Sequence, residues 1–257
     1  MLKLRYKLLS TVLLLLMLAV FSGAAKGQFR EDIKVVEIPT AGIIPHKSYM
    51  YSGSVGPFNS LLFGLDVGLH DRLMMGGSFG LQNFIGRGEI DYNERPEFRI
   101  RLRLLEEIIG GPALAVGVNT QGRNQWFEDL ERYERKSRGF YAVFSKGYRL
   151  WRRFSLHFGM NYSMEDEYED GTDLFGGVTI ETFPGLMVLC EYSAGFNDDD
   201  EDNPHRMTRG RGYLDMGVRF DYRENLRIRV NFQDLMENYI PESGVSRSVE
   251  ISYINFF

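Results

Sequence analysis

From Lys47 onward, apolar residues alternate with small, polar or charged ones in stretches of about ten residues, the period-two signature of strands with two unlike faces. Leu61, Phe63, Leu65, Val67 and Leu69 alternate with Leu62, Gly64, Asp66 and Gly68. After a tight His70-Asp71 turn, Leu73, Met75, Gly77, Phe79 and Leu81 continue on one face. Phe98, Ile100, Leu102 and Leu104 interleave with Arg99, Arg101 and Arg103, a pattern that no strand buried on both faces could carry, because unpaired buried charge is costly. The same alternation recurs over 154–163 and 188–195. It returns near the end, where Leu226, Ile228, Val230 and Phe232 face away from Arg227, Arg229 and Asn231.

These runs predict about twelve strands, at 48–56, 60–69, 72–83, 97–106, 112–121, 139–149, 153–164, 172–183, 186–196, 211–222, 226–235 and 246–257. Short turns at 70–71, 107–111, 150–152, Pro184-Gly185 and 223–225 are interleaved with long loops at 84–96, 122–138, 165–171, 197–210 and 236–245. An even strand count with alternating loop lengths is the pattern of a transmembrane, antiparallel, up-and-down β-barrel, with short turns in the periplasm and long loops outside the cell. The last strand ends in Phe257 with Val249, Ile251 and Tyr253 at odd spacing behind it, similar to the C-terminal signal of bacterial outer-membrane proteins. A soluble β-sandwich or lipocalin-like barrel would alternate too, but with its apolar face inward. The glycines and charges on the polar face, and the aromatics near strand ends on the apolar face, disfavour that reading.

The N-terminus differs in kind. Lys3, Arg5 and Lys7 precede the apolar run Leu8 to Phe21, which ends in Ser22-Gly23-Ala24-Ala25, so residues 1–25 read as a cleaved signal peptide. Residues 26–46 are expected to form a periplasmic N-terminal segment able to tuck into the lumen, and 47–257 the barrel. The formal charge of −5 becomes more negative when those three basic residues leave, which argues against a nucleic-acid partner. A single cysteine, Cys190, excludes an internal disulfide framework and any zinc site of several cysteines.

With the apolar face toward lipid, the lumen receives Asp66, Glu181, Glu191, Asp215, Asp221 and Glu250 together with Arg99, Arg101, Arg103, Arg219, Arg227 and Arg229. Two readings stay open: a narrow water-filled pore whose charged walls orient a polar solute, or a lumen filled by mutually paired carboxylates and guanidinium groups. In the loop 122–138, Trp126, Leu130 and Tyr133 fall at helical spacing, predicting a short amphipathic helix that either constricts the lumen or rests on the rim. The acidic run from Asp198 to Asp202 lacks the glycine and closing glutamate of a calcium loop; it reads as a solvated loop, with loose divalent-ion bridging at the cell surface as the alternative, and no built metal site and no cofactor is expected. No phosphate loop, His-Glu-x-x-His or G-x-S-x-G motif is present. Ser155, His157 and Asn161 share one strand face, but that face points to the lumen, so an outer-membrane hydrolase is the least favoured function and the chain is not expected to be an enzyme.

Pro112 to Gly117, Gly139 to Lys146 and Phe154 to Asn161 resemble the central strands of the YjbH-like family of bacterial outer-membrane proteins linked to exopolysaccharide biosynthesis. Ile38-Pro39-Thr40-Ala41-Gly42 is similar to the segment where the mature part of such proteins begins. The resemblance implies a role in export or surface assembly of a polysaccharide. The resulting expectation is an integral protein of the bacterial outer membrane, a pore or export component for polar or saccharide solutes. The alternative is a closed-lumen structural or surface-interaction barrel. Expected partners are outer-membrane lipid, the barrel-assembly machinery through the C-terminal strand, and polysaccharide.

Overall fold

The computed structural model describes residues 31–257 except 85–90, 93–95, 150–151, 167–168, 170, 202, 204–205, 224 and 242–243; side chains at 58, 91 and 92 are also outside the description. The signal-peptide expectation for 1–25 therefore lies outside the described residues. Among the described residues, fifteen strands run in chain order: β1 Ser48–Val55, β2 Leu61–His70, β3 Leu73–Gln82, β4 Asp91–Tyr92, β5 Glu97–Leu105, β6 Ala113–Asn119, β7 Arg123–Phe127, β8 Arg132–Arg135, β9 Gly139–Arg149, β10 Arg153–Ser163, β11 Gly171–Phe183, β12 Leu186–Ser193, β13 Tyr213–Tyr222, β14 Leu226–Gln233 and β15 Ser246–Phe256. Each barrel strand pairs antiparallel with its neighbours, β1 pairs with β15, and the β2–β3 pairing closes the ring. β4 only lengthens β3, and β7 with β8 makes a separate hairpin. The remaining twelve strands form the barrel, each within a few residues of its predicted position.

The alternation places side chains as the pleat requires. Phe63, Leu65, Phe98, Ile100, Leu102, Phe158, Val249 and Ile251 are exposed on the outside, while Asp66, Arg101, His157, Asn161, Asp215, Arg219, Arg229 and Glu250 are buried inside. This is the apolar belt and polar interior of a transmembrane barrel. Aromatic pairs mark the end that carries the short turns: Tyr49 stacks on Phe257 at 5.8 Å and Tyr148 on Phe154 at 5.0 Å. In the Pro184-Gly185 turn, Gly185 takes a left-handed φ of +80°, which an L side chain would strain.

The lumen is filled rather than hollow. Residues 33–40 form a small hairpin, with Lys34 bridged to Pro39 and the amide of Val35 donating to the Ile38 carbonyl at 3.0 Å. Its limbs lie on the short-turn side and its tip, 35–38, reaches mid-barrel. Val35, Val36, Ile38 and Ala41 are buried in one cluster with inward-facing Ala113, Ala115, Tyr141, Val143, Phe175, Met187 and Leu189. Ile43 and Ile44 pack with Met50, Met74 and Ile254 in a second cluster near the mouth. A barrel with an apolar core inside its lumen is thus built around this hairpin.

The expected helix in 122–138 is replaced by the β7–β8 hairpin with one 3-10 turn at Glu128–Leu130. Trp126 and Tyr133 are cross-strand partners whose rings meet edge-on at 5.0 Å, and Leu130 sits in the turn. The spacing that mimicked a helical face is the register of a hairpin. Tyr133 is fully buried, and its hydroxyl donates to Glu97 at 2.8 Å, so this loop folds inward from the long-loop end.

Candidate functional site

Of the residues expected to line the lumen, Glu191, Arg101, Arg103, Arg219 and Arg227 hold the N-terminal hairpin and its limbs. The Glu191 carboxylate accepts the amides of Val36 at 2.7 Å, Glu37 at 2.9 Å and Ile38 at 3.1 Å, a nest of three N–H groups around one anion. Arg101 donates to the Gly42 carbonyl at 2.7 Å and to the Tyr141 hydroxyl at 2.8 Å. Arg103 pairs with Glu31, and Arg219 pairs with Asp32, which Arg227 also approaches at 3.4 Å. Arg99, Arg229, Glu181 and Asp215 serve the wall or the inward loop. Arg99 grips Asp66, Arg229 reaches Glu250 at 3.3 Å, Glu181 lies 3.8 Å from Arg153, and Asp215 receives Arg135 at 2.6 Å. Lys34 of the hairpin closes the circuit on Glu250 at 2.7 Å.

Several residues that organise the interior were not among the expected ones. Arg123, Arg132, Arg135, Lys136 and Arg138 enter from the long-loop end. Arg132 is fully buried between Asp166 at 3.2 Å and Asp198 at 2.9 Å. Asp198 also accepts from the Tyr213 hydroxyl at 3.0 Å. The acidic run is therefore partly structural: Asp198 is buried, and the amides of Asp199 and Asp200 donate to Glu169 at 2.6 and 2.8 Å. Lys136 donates to the carbonyls of Glu169 and Asn197 at 2.6 and 2.7 Å. Burial pushes the Asp198 carboxyl up even beside Arg132, pushes Glu165 up, and pulls Lys136 down. A signal for the filled lumen did exist in the sequence: Ala113, Ala115, Val143 and Leu189 put apolar side chains on inward faces, which a water-filled passage has no use for.

Between the hairpin tip and the long-loop end lies a cavity of about 120 Å³. Lys34, Arg99, Gln121, Arg123, Arg135 and Gln233 are among its lining residues. Arg123, Arg135 and Gln233 also line a smaller one of about 30 Å³ behind it. The plug and the inward loop meet here, since Gln233 donates to Glu37 at 2.9 Å and also accepts from Arg123. At the opposite mouth a cavity of about 90 Å³ borders Asp32, Arg103, Ser145 and His157. His157 bonds Ser145 at 2.8 Å, and the Ser145 hydroxyl accepts the Ala41 amide at 2.8 Å. That pair ties the hairpin to the wall; the triple of Ser155, His157 and Asn161 does not assemble as a relay. Among the described residues, no group of His, Cys, Asp or Glu is arranged to hold a metal ion.

No family model matches the chain, and neither does any curated protein sequence. Solved structures do resemble it. The KdgM porin in complex with disordered oligogalacturonate superposes with a TM-score of 0.50 at 7% identity, covering 82% of this chain and 99% of that one. An outer-membrane channel from Pseudomonas putida F1 has a TM-score of 0.39 at 11% identity, covering 89% of this chain and all of the other. Wzi from Escherichia coli, described as a carbohydrate-binding β-barrel involved in capsule assembly, has a TM-score of 0.32 at 13% identity, covering 79% of this chain and 55% of that one. At such identities the likeness is one of fold, and that fold is the β-barrel of integral outer-membrane proteins.

Proposed function

We propose that this chain is a bacterial outer-membrane barrel of the YjbH-like kind, serving export or surface assembly of an exopolysaccharide. Its lumen is closed at rest by its own N-terminal hairpin, and a polar saccharide chain is held in the vestibule above the hairpin tip. The short-turn end then faces the periplasm and the long loops the cell surface. The outward face meets outer-membrane lipid, and β15, with Phe257 behind it, is offered to the barrel-assembly machinery.

The observation that carries this reading is the packing of the hairpin. Val35, Val36, Ile38, Ile43 and Ile44 are nearly or fully buried. Each such side chain is worth roughly 1.5–3 kcal/mol of removal from water, so together they favour the closed lumen by roughly 8–15 kcal/mol as an upper bound. What stays open is a blind pit lined by guanidinium, amide and hydroxyl groups, the donors and acceptors that sugar hydroxyls need. The test is planar-bilayer conductance of the folded chain lacking residues 1–25, run beside calorimetric titration with saccharide oligomers. Silence with measurable oligosaccharide uptake is expected. Discrete steps from the unmodified barrel would replace the closed lumen with a standing pore, and no uptake of any oligosaccharide would remove the vestibule reading.

A further inference from the structure

The outward faces of the barrel strands are apolar almost to their ends, and a charge on that face is costly unless it lies near the membrane interface. Arg247 is such a charge. It is exposed, alternates along β15 with buried Ser248 and Glu250, and pairs with Phe232 of β14 beside exposed Val249. Lys146, on the outward register at the short-turn end, is spent: its ammonium reaches the carbonyls of Ile109 and Gly111 at 3.2 and 3.3 Å and Glu107 at 3.4 Å. Arg247 makes no side-chain hydrogen bond and no ion pair among the described residues.

At the long-loop end of β13 and β14, the loops 206–212 and 236–240 are zipped together. Thr208 bridges to Tyr239, and the Ile240 amide donates to the Met207 carbonyl at 2.8 Å. Gly210 and Gly212, at φ of +70° and +68°, turn the Arg209-Gly210-Arg211-Gly212 run over this platform. Arg209 donates to the Tyr239 carbonyl at 2.9 Å and Arg211 to that of Met236 at 3.4 Å, while the hydroxyl of outward Tyr192 donates to the Arg211 carbonyl at 3.1 Å. Neither guanidinium has a carboxylate within ion-pair distance among the described residues, since Glu201 is taken by Arg206. Met236 and Ile240 of the same platform are 38% and 44% exposed, so the apolar surface of the wall continues past the strand ends to these arginines.

We propose that this face, from β12 to β15, is a docking surface for a phosphorylated glycolipid of the outer leaflet. Arg247, Arg211 and Arg209 hold its phosphates, and Phe232, Val249 and Met216 lie along its acyl chains. The inference rests on the orientation given above, with the long loops at the cell surface, and adds a lipid of stated charge. Arginines at this depth keep their aliphatic stems on apolar surface and send the guanidinium into the headgroup layer. There a phosphate accepts two parallel N–H bonds from one guanidinium. A lipid is favoured over a soluble anion because exposed apolar side chains flank all three charges, and a soluble anion would leave them uncovered.

The experiment is native mass spectrometry of the folded barrel lacking residues 1–25, titrated in detergent with diphosphoryl lipid A, phosphatidylglycerol or phosphatidylethanolamine. Lipid A is expected to be retained at least tenfold more tightly than phosphatidylethanolamine. Arg247→Gln and Arg211→Gln should each weaken that retention about fivefold, and Arg247→Lys should keep most of it. Arg223→Gln, which removes an exposed charge at the short-turn end, should change nothing. Equal retention of lipid A and phosphatidylethanolamine, or an equal loss from Arg223→Gln, would overturn the docking surface. Phosphatidylglycerol held as tightly as lipid A would replace the glycolipid with any anionic headgroup, and displacement by millimolar inorganic phosphate would replace it with a free anion. An epitope inserted after Glu201 tests the orientation separately: if antibody cannot reach it on intact cells, the face lies at the inner leaflet and the outer-leaflet partner falls with the orientation. Failed lipid retention with an accessible epitope would leave the orientation standing and remove the lipid alone.

Discussion

At the scale of single residues, the interior depends on a few buried carboxylates doing unlike jobs. Glu191 accepts three consecutive amides at the hairpin tip, so Glu191→Ala leaves three buried donors without an acceptor. Part of that loss is recovered as the tip relaxes toward the vestibule, and the net cost is expected to be about 3 kcal/mol. Hydrogen exchange should then run on the order of a hundredfold faster at residues 36–38, with the barrel amides unchanged. Unaltered exchange would mean that apolar packing alone holds the tip. Glu165 belongs to the long-loop end, where it accepts the amides of Tyr133 at 3.0 Å and Ser137 at 3.1 Å. Burial raises its carboxyl above the ordinary 4.5 in spite of those donors and Arg132. The folded state therefore holds this proton more tightly than the unfolded chain does. The group's stabilisation grows as pH falls through its folded value toward 4.5 and is absent above it. Lowering pH from about 7 to about 5 should protect the loop 122–138 against protease, and Glu165→Gln should remove most of that dependence. A residual slope is expected from Asp198, which burial also raises. An identical slope in the variant would assign the effect to other groups.

At the scale of elements, the seating of the N-terminal hairpin depends on two close approaches. Gly68 of β2 lies against the carbonyls of Ile44 and Pro45, and Gly42 lies against the carbonyl of Asp32 across the hairpin limbs; a Cβ at either position would collide with backbone. Gly68→Ala should therefore shift the return limb at a cost of about 1–3 kcal/mol, the range for overpacking a close-packed site. Limited proteolysis checks it: cleavage within 31–44 should accelerate while the barrel still changes gel mobility on boiling, and no change would show that the limb can slide. The barrel strands were legible beforehand because the membrane imposes one unbroken rule, apolar outward and polar inward, and Arg99, Arg101 and Arg103 against Ile100, Leu102 and Leu104 could satisfy it in one way only. The β7–β8 hairpin was not legible, because Trp126, Leu130 and Tyr133 meet the helical period by coincidence of strand register and turn length. The buried role of Asp198 is equally hidden in the sequence, since its partner Arg132 is distant along the chain and belongs to the loop whose residue spacing mimics a helix.

At the scale of the whole molecule, the N-terminal hairpin acts as a set of counter-ions as well as a stopper. Glu31 meets Arg103, Asp32 meets Arg219 and Arg227, and Glu37 faces Arg123, so three of its acids neutralise arginines distributed around the interior. Its one lysine in the circuit, Lys34, returns a positive charge to Glu250. Excising residues 31–44 should thus do two separable things. The passage opens, and the charge balance of the wall moves toward positive, so the excised barrel is expected to conduct in discrete steps with a reversal potential in a KCl gradient that reports anion preference. Neutralising Arg101 and Arg103 together in that background should weaken the preference, because both lose their hairpin partners and then face the open lumen. The cost falls on stability, since inward Val143, Phe175, Met187 and Leu189 lose the apolar cover that Val35, Val36 and Ile38 provide. The excised barrel should accordingly lose its unheated gel mobility at a lower temperature than the parent. Cation preference in a barrel shown to be folded would mean that Glu191, Asp215 and Glu250 dominate the field once the hairpin is gone, and the arginines would then be structural partners of those carboxylates rather than the determinants of what the lumen admits.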